Sequence, residues 1–105
     1  GGMTIGVLPG DSKDQANSFI YIPIVTNMSD ARNLINVLSS DIVVACPGST
    51  GTFTEVAMAL KNEKIVILLN FSLGSLFKDM KLDGQLFEET SPSACVTRIK
   101  SLLPC

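Results

Sequence analysis

The chain has 105 residues, 46% hydrophobic and 17% charged, with eight basic side chains against ten acidic ones for a net charge of −2. Such an apolar share supports a packed core and excludes a disordered chain, the length fits one domain, and no basic excess marks a nucleic-acid or acidic-membrane partner. Histidine and tryptophan are both absent. That excludes Ser-His-Asp and Cys-His nucleophile schemes, a histidine general base, and the usual zinc and iron ligand sets.

Short β-branched runs alternate with helical ones, the pattern of a parallel α/β sheet. Thr4–Leu8 reads as a buried strand stopped by Pro9-Gly10, and a polar loop follows from Asp11 to Ser18. Phe19–Val25 is an extended run whose Pro23 suits an edge or a non-sheet extension. Asn27–Asp30 offers cap chemistry for a helix to about Ser39, with Ala31, Leu34, Ile35 and Leu38 as its apolar stripe. Arg32 and Asn36 fall together on another face of that helix.

Asp41–Cys46 reads as a second buried strand, ended by Pro47-Gly48. Ser49–Thr52 form a turn, and a helix is expected over Phe53–Lys61 with Phe53, Val56, Ala57 and Leu60 inward. Lys64–Leu69 is a third strand, Gly74–Leu82 a short helix, and Gln85–Glu89 a last strand. Ser93–Leu103 closes the chain as a helix capped by Ser91 or Ser93. The organisation is one α/β unit, residues 1–105, without repeats or linkers.

Three cysteines, Cys46, Cys95 and Cys105, form no C-x-x-C pair, so neither a metal knuckle nor a redox motif is present. They read as buried or incidental thiols of a reducing compartment, and no secretory leader opens the sequence. The most apolar stretch, Ile65–Phe77, is broken by Asn70, Ser72, Gly74 and Ser75 and is too short to span a bilayer. A cytoplasmic protein is the expectation.

The segment Cys46-Pro47-Gly48-Ser49-Thr50-Gly51-Thr52-Phe53-Thr54-Glu55 carries the chemistry. It lies where a strand turns into a helix, whose first turn presents free backbone N–H groups and a partial positive charge. Gly48 and Gly51 let the backbone approach a ligand, and Ser49, Thr50 and Thr52 add hydroxyls. Together they suit a phosphate, and open α/β sheets bind ligands beyond the carboxyl ends of their strands. The lysine of a Walker loop and the G-x-G-x-x-G spacing are both missing. A plainer reading also fits: Thr52-x-x-Glu55 is a capping box that starts a helix. Arg32 suits bidentate recognition of a phosphate or carboxylate, or pairs in solvent with Asp30. Asp11, at the carboxyl end of the first strand, reads as a ligand contact or a solvated loop residue.

The runs Thr4–Gly10, Ile24-Val25-Thr26-x-Met28-x-Asp30-Ala31-Arg32-Asn33, Asn36–Asp41, Gly51-Thr52-x-x-Glu55 and Ala57-x-Ala59-Leu60-Lys61 resemble the LOG-like Rossmann superfamily. Within it the likeness is greatest to the molybdenum cofactor carrier proteins and their relatives. The resemblance implies a Rossmann-like parallel sheet with flanking helices and a phosphate site at the strand-to-helix turn. Carriers of this kind bind the pterin cofactor without chemistry. The LOG enzymes hydrolyse cytokinin nucleoside monophosphates, using an Arg and the Glu of a P-G-G-x-G-T-x-x-E motif, and Arg32 and Glu55 match those positions. Ser49 replaces the motif's second glycine and Asn33 a lysine of the enzymes, while Pro47 is unusual for the carriers.

The family carries two further β-α units and a second glycine-rich motif ahead of the position of Gly1, so the chain resembles the carboxyl-terminal part of the fold. In a 3-2-1-4-5 order the strand at Thr4 would then lose its path to the strand at Ile42. A homodimer or higher oligomer that shields those edges is expected. Function is expected to be a binding or carrier module for a phosphate-bearing small molecule, with molybdenum cofactor or a nucleotide as ligand and no cofactor required. The alternatives are a LOG-type phosphoribohydrolase, with Glu55 and Arg32 catalytic, and a ligand-free structural relative.

Overall fold

The computed structural model describes residues 2–104. The fold comprises two compact units, Gly1–Ser39 and Ser40–Cys105. In the first, β1 (Ile5–Leu8) and β2 (Ile22–Val25) pair in parallel, with Ile5 opposite Ile22 and Leu8 opposite Val25. Pro23 stands opposite Gly6. A proline is tolerated there because a two-stranded sheet leaves each strand an edge that needs no donor. The extended run is shorter than expected: Phe19 and Tyr21 lie outside the strand, 82% and 72% exposed.

A 3-10 turn over Ser29–Ala31 leads into α1 (Arg32–Ser39). The apolar stripe differs from the expected one. Val37 is the buried residue of α1, whereas Leu34 and Leu38 are exposed. Ala31 sits in the tighter 3-10 turn, so a stripe counted from it with the α-helical period is out of phase. β1 is also less covered than a buried strand, with Leu8 buried and Ile5 57% exposed.

The second unit runs β3 (Ile42–Ala45), α2 (Thr50–Lys61), β4 (Ile65–Leu69), α3 (Lys78–Leu82), β5 (Leu86–Glu89) and α4 (Pro92–Leu102). Its strands form a parallel sheet in the order β3-β4-β5. Val66, Ile67 and Leu68 of β4 are each 0% exposed. Successive strand side chains point to opposite faces, so burial of all three means that both faces of β4 are covered. α2 packs on β3 and β4, and α4 on β4 and β5. Edge strand β3 is less buried than its sequence suggests: Ala45 is buried, but Val44 is 38% exposed.

Local polar contacts fix the element ends. Gln85 Nε2 donates to the Leu60 and Lys64 carbonyls at 2.9 and 3.1 Å, tying the end of α2 to the starts of β4 and β5. Ser91 is the cap of α4, its Oγ accepting from the Ala94 N–H at 3.2 Å. Arg98 of α4 donates through Nε to Glu89 Oε1 at 3.0 Å and lies 4.7 Å from the Phe87 ring centroid. No helix of the described residues is long and apolar enough to cross a membrane.

Candidate functional site at the end of β3

After Ala45 the chain leaves the sheet through Cys46, Pro47 and Gly48, and Ser49 takes the cap position of α2 with extended backbone. The helix starts at Thr50, three residues earlier than the sequence pattern suggests (50 against 53). Its first backbone bond runs from the Phe53 N–H to the Ser49 carbonyl at 3.3 Å. The N–H groups of Thr50, Gly51 and Thr52 therefore have no acceptor within the helix.

The early start removes the capping box. Thr52 lies inside α2, and Ser49 makes no side-chain cap bond. Thr52 Oγ1 instead lies over Gly48, where an added Cβ would collide with it. A Cβ on Gly51 would meet nothing within 4 Å. Glu55, half-buried, has no hydrogen-bond or ion-pair partner among the described residues. Of the expected inward stripe of α2, Val56 and Leu60 are buried and Ala57 is half-buried; Ala59 joins them, while Phe53, in the first turn, is 44% exposed.

A cavity of about 190 Å³ opens beside this turn. Pro47, Gly48 and Ser49 line it, with Thr52 and Phe53 from α2. Phe71 and Leu73, just beyond β4, complete the wall. Thus Gly48, Ser49 and Thr52 gather around one space, whereas Thr50, Gly51 and Glu55 share the helix start without lining it. Sequence reasoning missed Phe71 and Leu73. The available signal was position, since both follow directly on the carboxyl end of a buried strand.

The wall is held from behind. Asn70 adopts the left-handed region at φ 64° while its N–H donates to the Glu89 carbonyl at 2.7 Å. Glu88 of β5 is hydrogen-bonded by Lys81, and then by Ser72, which outweigh partial burial and hold its carboxyl below the ordinary glutamate value. Ser72 Oγ in turn accepts from the Gly74 N–H at 3.0 Å. Cys46, beside Pro47, is exposed. Cys95 on α4 is buried, and burial first, then the Glu89 charge, pushes its thiol up.

A larger recess of about 690 Å³ lies among Asp41, Ile42, Ile65, Lys100 and the residues after α4. It is at the amino ends of β3 and β4, the end of a parallel sheet that lacks the helix-start amides. The smaller cavity is therefore the candidate site.

The remaining residues singled out by sequence belong to the first unit. Thr26 Oγ1 donates to the Leu8 carbonyl at 2.6 Å, and the Asn27 and Ser29 N–H groups donate to the Gly10 and Pro9 carbonyls at 2.8 and 2.9 Å. These bonds hold Asn27 and Ser29 in the left-handed region, at φ 50° and 52°, and set where α1 begins. Arg32, its first residue, donates from Nη1 to the Val7 carbonyl at 2.8 Å, and its buried Nε has no partner. The Asp30 pairing is absent: among the described residues Arg32 has no carboxylate partner. The reason is geometric, because the guanidinium turns back to the end of β1. Asp11 is exposed in the loop after Gly10.

The SLOG cluster4 profile matches residues 1–96. The chain belongs to the SLOG cluster4 family. The molybdenum cofactor binding protein of the phototrophic bacterium Rippkaea orientalis is 46% identical, with a TM-score of 0.85 over 98% of this chain and 64% of that one. The molybdenum cofactor carrier protein of Chlamydomonas reinhardtii is 38% identical, with a TM-score of 0.77 over 97% of this chain and 62% of that one. An uncharacterised protein of Archaeoglobus fulgidus is 45% identical over 69 residues, 66% of this chain and 45% of that protein. The chain thus spans under two thirds of the length of these solved relatives and under half of the archaeal one. These structural neighbours bear out the α/β fold class and the resemblance to the cofactor carriers.

Proposed function

We propose that this SLOG cluster4 chain is a binding or carrier module for a phosphate-bearing small molecule of the molybdenum cofactor type. The phosphate is received by the N–H groups of Thr50, Gly51 and Thr52 and by the nearby hydroxyls, and the ligand leaves chemically unchanged. The observation that carries the reading is the cavity at the carboxyl ends of β3 and β4, where Gly48, Ser49 and Thr52 meet at the start of α2. Its support from outside the chain is the binding named for the Rippkaea and Chlamydomonas proteins. Arg32 and Asp11 are proposed as ligand-contacting residues within the first unit, at the end of β1.

Gly51→Ala tests this without disturbing the fold. The new methyl group meets no protein atom within 4 Å, and alanine favours a helix by about 0.8–1 kcal/mol over glycine. The expected result is an equal or higher melting temperature with weaker binding of extracted molybdenum cofactor. Unchanged binding, or none by the wild-type chain, overturns the reading.

A second reading, the nucleoside-monophosphate phosphoribohydrolase, is favoured by one observation: Glu55 is not engaged in a cap and has no partner. It would stabilise an oxocarbenium-like sugar as the base departs. Free base released from purine monophosphates, and lost in Glu55→Gln, supports it; no release eliminates it.

We also propose that copies of the chain associate. β1 and β3 are each hydrogen-bonded along one edge, and Ile5, Ile24, Leu34 and Leu38 are 57%, 43%, 42% and 50% exposed. Open edges and apolar surface of this kind favour association. Light scattering after size exclusion should find a dimer or larger species, and a monodisperse monomer at micromolar concentration rejects it.

A further inference from the structure

We propose that the cavity beside α2 is a ring subsite, in which Phe53 and Phe71 receive a flat, uncharged heteroaromatic ring of the ligand while its phosphate stays outside on the helix turn. This rests on the binding reading above and adds where the ring of such a ligand sits and which side chains receive it.

Size comes first. The cavity holds about 190 Å³, below the roughly 300–1,000 Å³ of a site that encloses a whole drug-sized ligand. It takes part of a molecule. The lining then selects which part. Its walls are Pro47, Phe53, Phe71 and Leu73, with the Ser49 and Thr52 hydroxyls as its polar side chains and no charged residue. A phosphate pushed inside would lose its hydration without a countercharge. A neutral ring loses little and gains face and edge contact with the phenylalanines, leaving the hydroxyls at the rim to the phosphate.

The walls are also in place before any ligand arrives. Phe53 lies in the first turn of α2, ahead of the buried Val56, Ala59 and Leu60, and stays 44% exposed in the cavity wall. Phe71 follows Asn70, a non-glycine residue held at φ 64° by its bond to the Glu89 carbonyl. Backbone strain of that kind persists where the surroundings over-determine it. Ser72, the next residue, is held by Glu88. A wall fixed on both sides loses little freedom when a ring enters.

Neopterin monophosphate, which carries both groups, is the direct probe, and its fluorescence is read cleanly because the chain has no tryptophan. Ribose 5-phosphate is the ring-free competitor. The expected result is that neopterin monophosphate binds at least about tenfold more tightly than ribose 5-phosphate, the order of one good aromatic contact. Phe53→Leu and Phe71→Leu keep the apolar volume and should each weaken neopterin monophosphate by about five- to tenfold. Ribose 5-phosphate should be unaffected by either change. If both probes weaken together, or neither does, the ring subsite is wrong and the helix-turn reading stands. Should neither probe bind the wild-type chain, both fall. If a variant loses its cooperative melt, the wild-type protein decides by NMR. Neopterin monophosphate must then shift the Phe53 and Phe71 ring protons and ribose 5-phosphate must not; any other pattern rejects the proposal.

Discussion

In Ser40–Cys105, three consecutive side chains of β4 are completely buried, and Val56, Ala59, Leu60, Leu86 and Cys95 close around them. In Gly1–Ser39, Leu8 and Val37 are the buried hydrophobic residues among those described, while Met3, Ile5, Phe19, Tyr21 and Ile24 are exposed. Both units use parallel strands joined through helical turns. The difference is that β4 has a strand on each side, with helices packed on the sheet, and among the described residues neither β1 nor β2 has a second neighbour. Parallel strands are stable when both faces are covered, and a two-stranded pair offers too little surface to close a core. The same alternation of residues therefore gives a core in one unit and an open apolar surface in the other.

The sharpest way to break that contrast is a matched pair of truncations. Ile67→Ala removes a side chain that is 0% exposed and should cost about 2–5 kcal/mol. Ile5→Ala removes one that is 57% exposed and should cost under about 1 kcal/mol. Urea midpoints followed by circular dichroism measure both, and equal losses would show that the first unit is as well packed as the second.

Gly48→Ala probes the site within the well-packed unit. Its methyl group collides with Thr52 Oγ1, an overpacking that should cost about 1–3 kcal/mol. Thr52→Ala removes the hydroxyl, so the double variant should recover most of that loss. Purely additive losses would mean that the collision is not the cause.

A smaller effect belongs to Glu88, which steadies the loop carrying Phe71. Its carboxyl is held below the ordinary glutamate value by Lys81 and then Ser72, so the ionised form is favoured by folding. The contribution is complete above the ordinary value and is lost as pH falls through the lowered one. With Lys81 and Glu88 side chains 36% and 28% exposed, Glu88→Gln should cost about 0.5–1 kcal/mol at neutral pH. The wild-type advantage should vanish in acid, and thermal melts of both proteins across pH check the sign.

The least disruptive test is chemical. In a Cys105→Ser background, Cys46 should react with a thiol reagent in the native state, and Cys95 only on unfolding. Counting labelled thiols by mass spectrometry reads it directly.

The strand positions were legible because β-branched runs such as Ile65–Leu69 and Ile42–Ala45 state their conformation locally. So was the turn after β3, since Pro47-Gly48 and three hydroxyl residues name a strand end and a helix start without reference to the rest of the chain. The start of α2 was not legible. Thr52-x-x-Glu55 is a valid capping pattern, yet the chain turns helical at Thr50, where the first Phe53-to-Ser49 bond forms and Thr52 covers Gly48. The pairing of Phe71 with Phe53 was hidden as well, because residues 18 positions apart meet only when β3 and β4 lie side by side.

By itself, then, the sequence determined the α/β alternation, the lack of histidine side chains, and the gathering of glycines and hydroxyl residues at the turn after β3. Each depends on neighbouring residues alone. Tertiary structure decided which apolar side chains became core and which became cavity wall. That choice depends on how α2 packs over the sheet: Val56, Ala59 and Leu60 are buried, while Phe53, in the first turn, stays 44% exposed and lines the cavity.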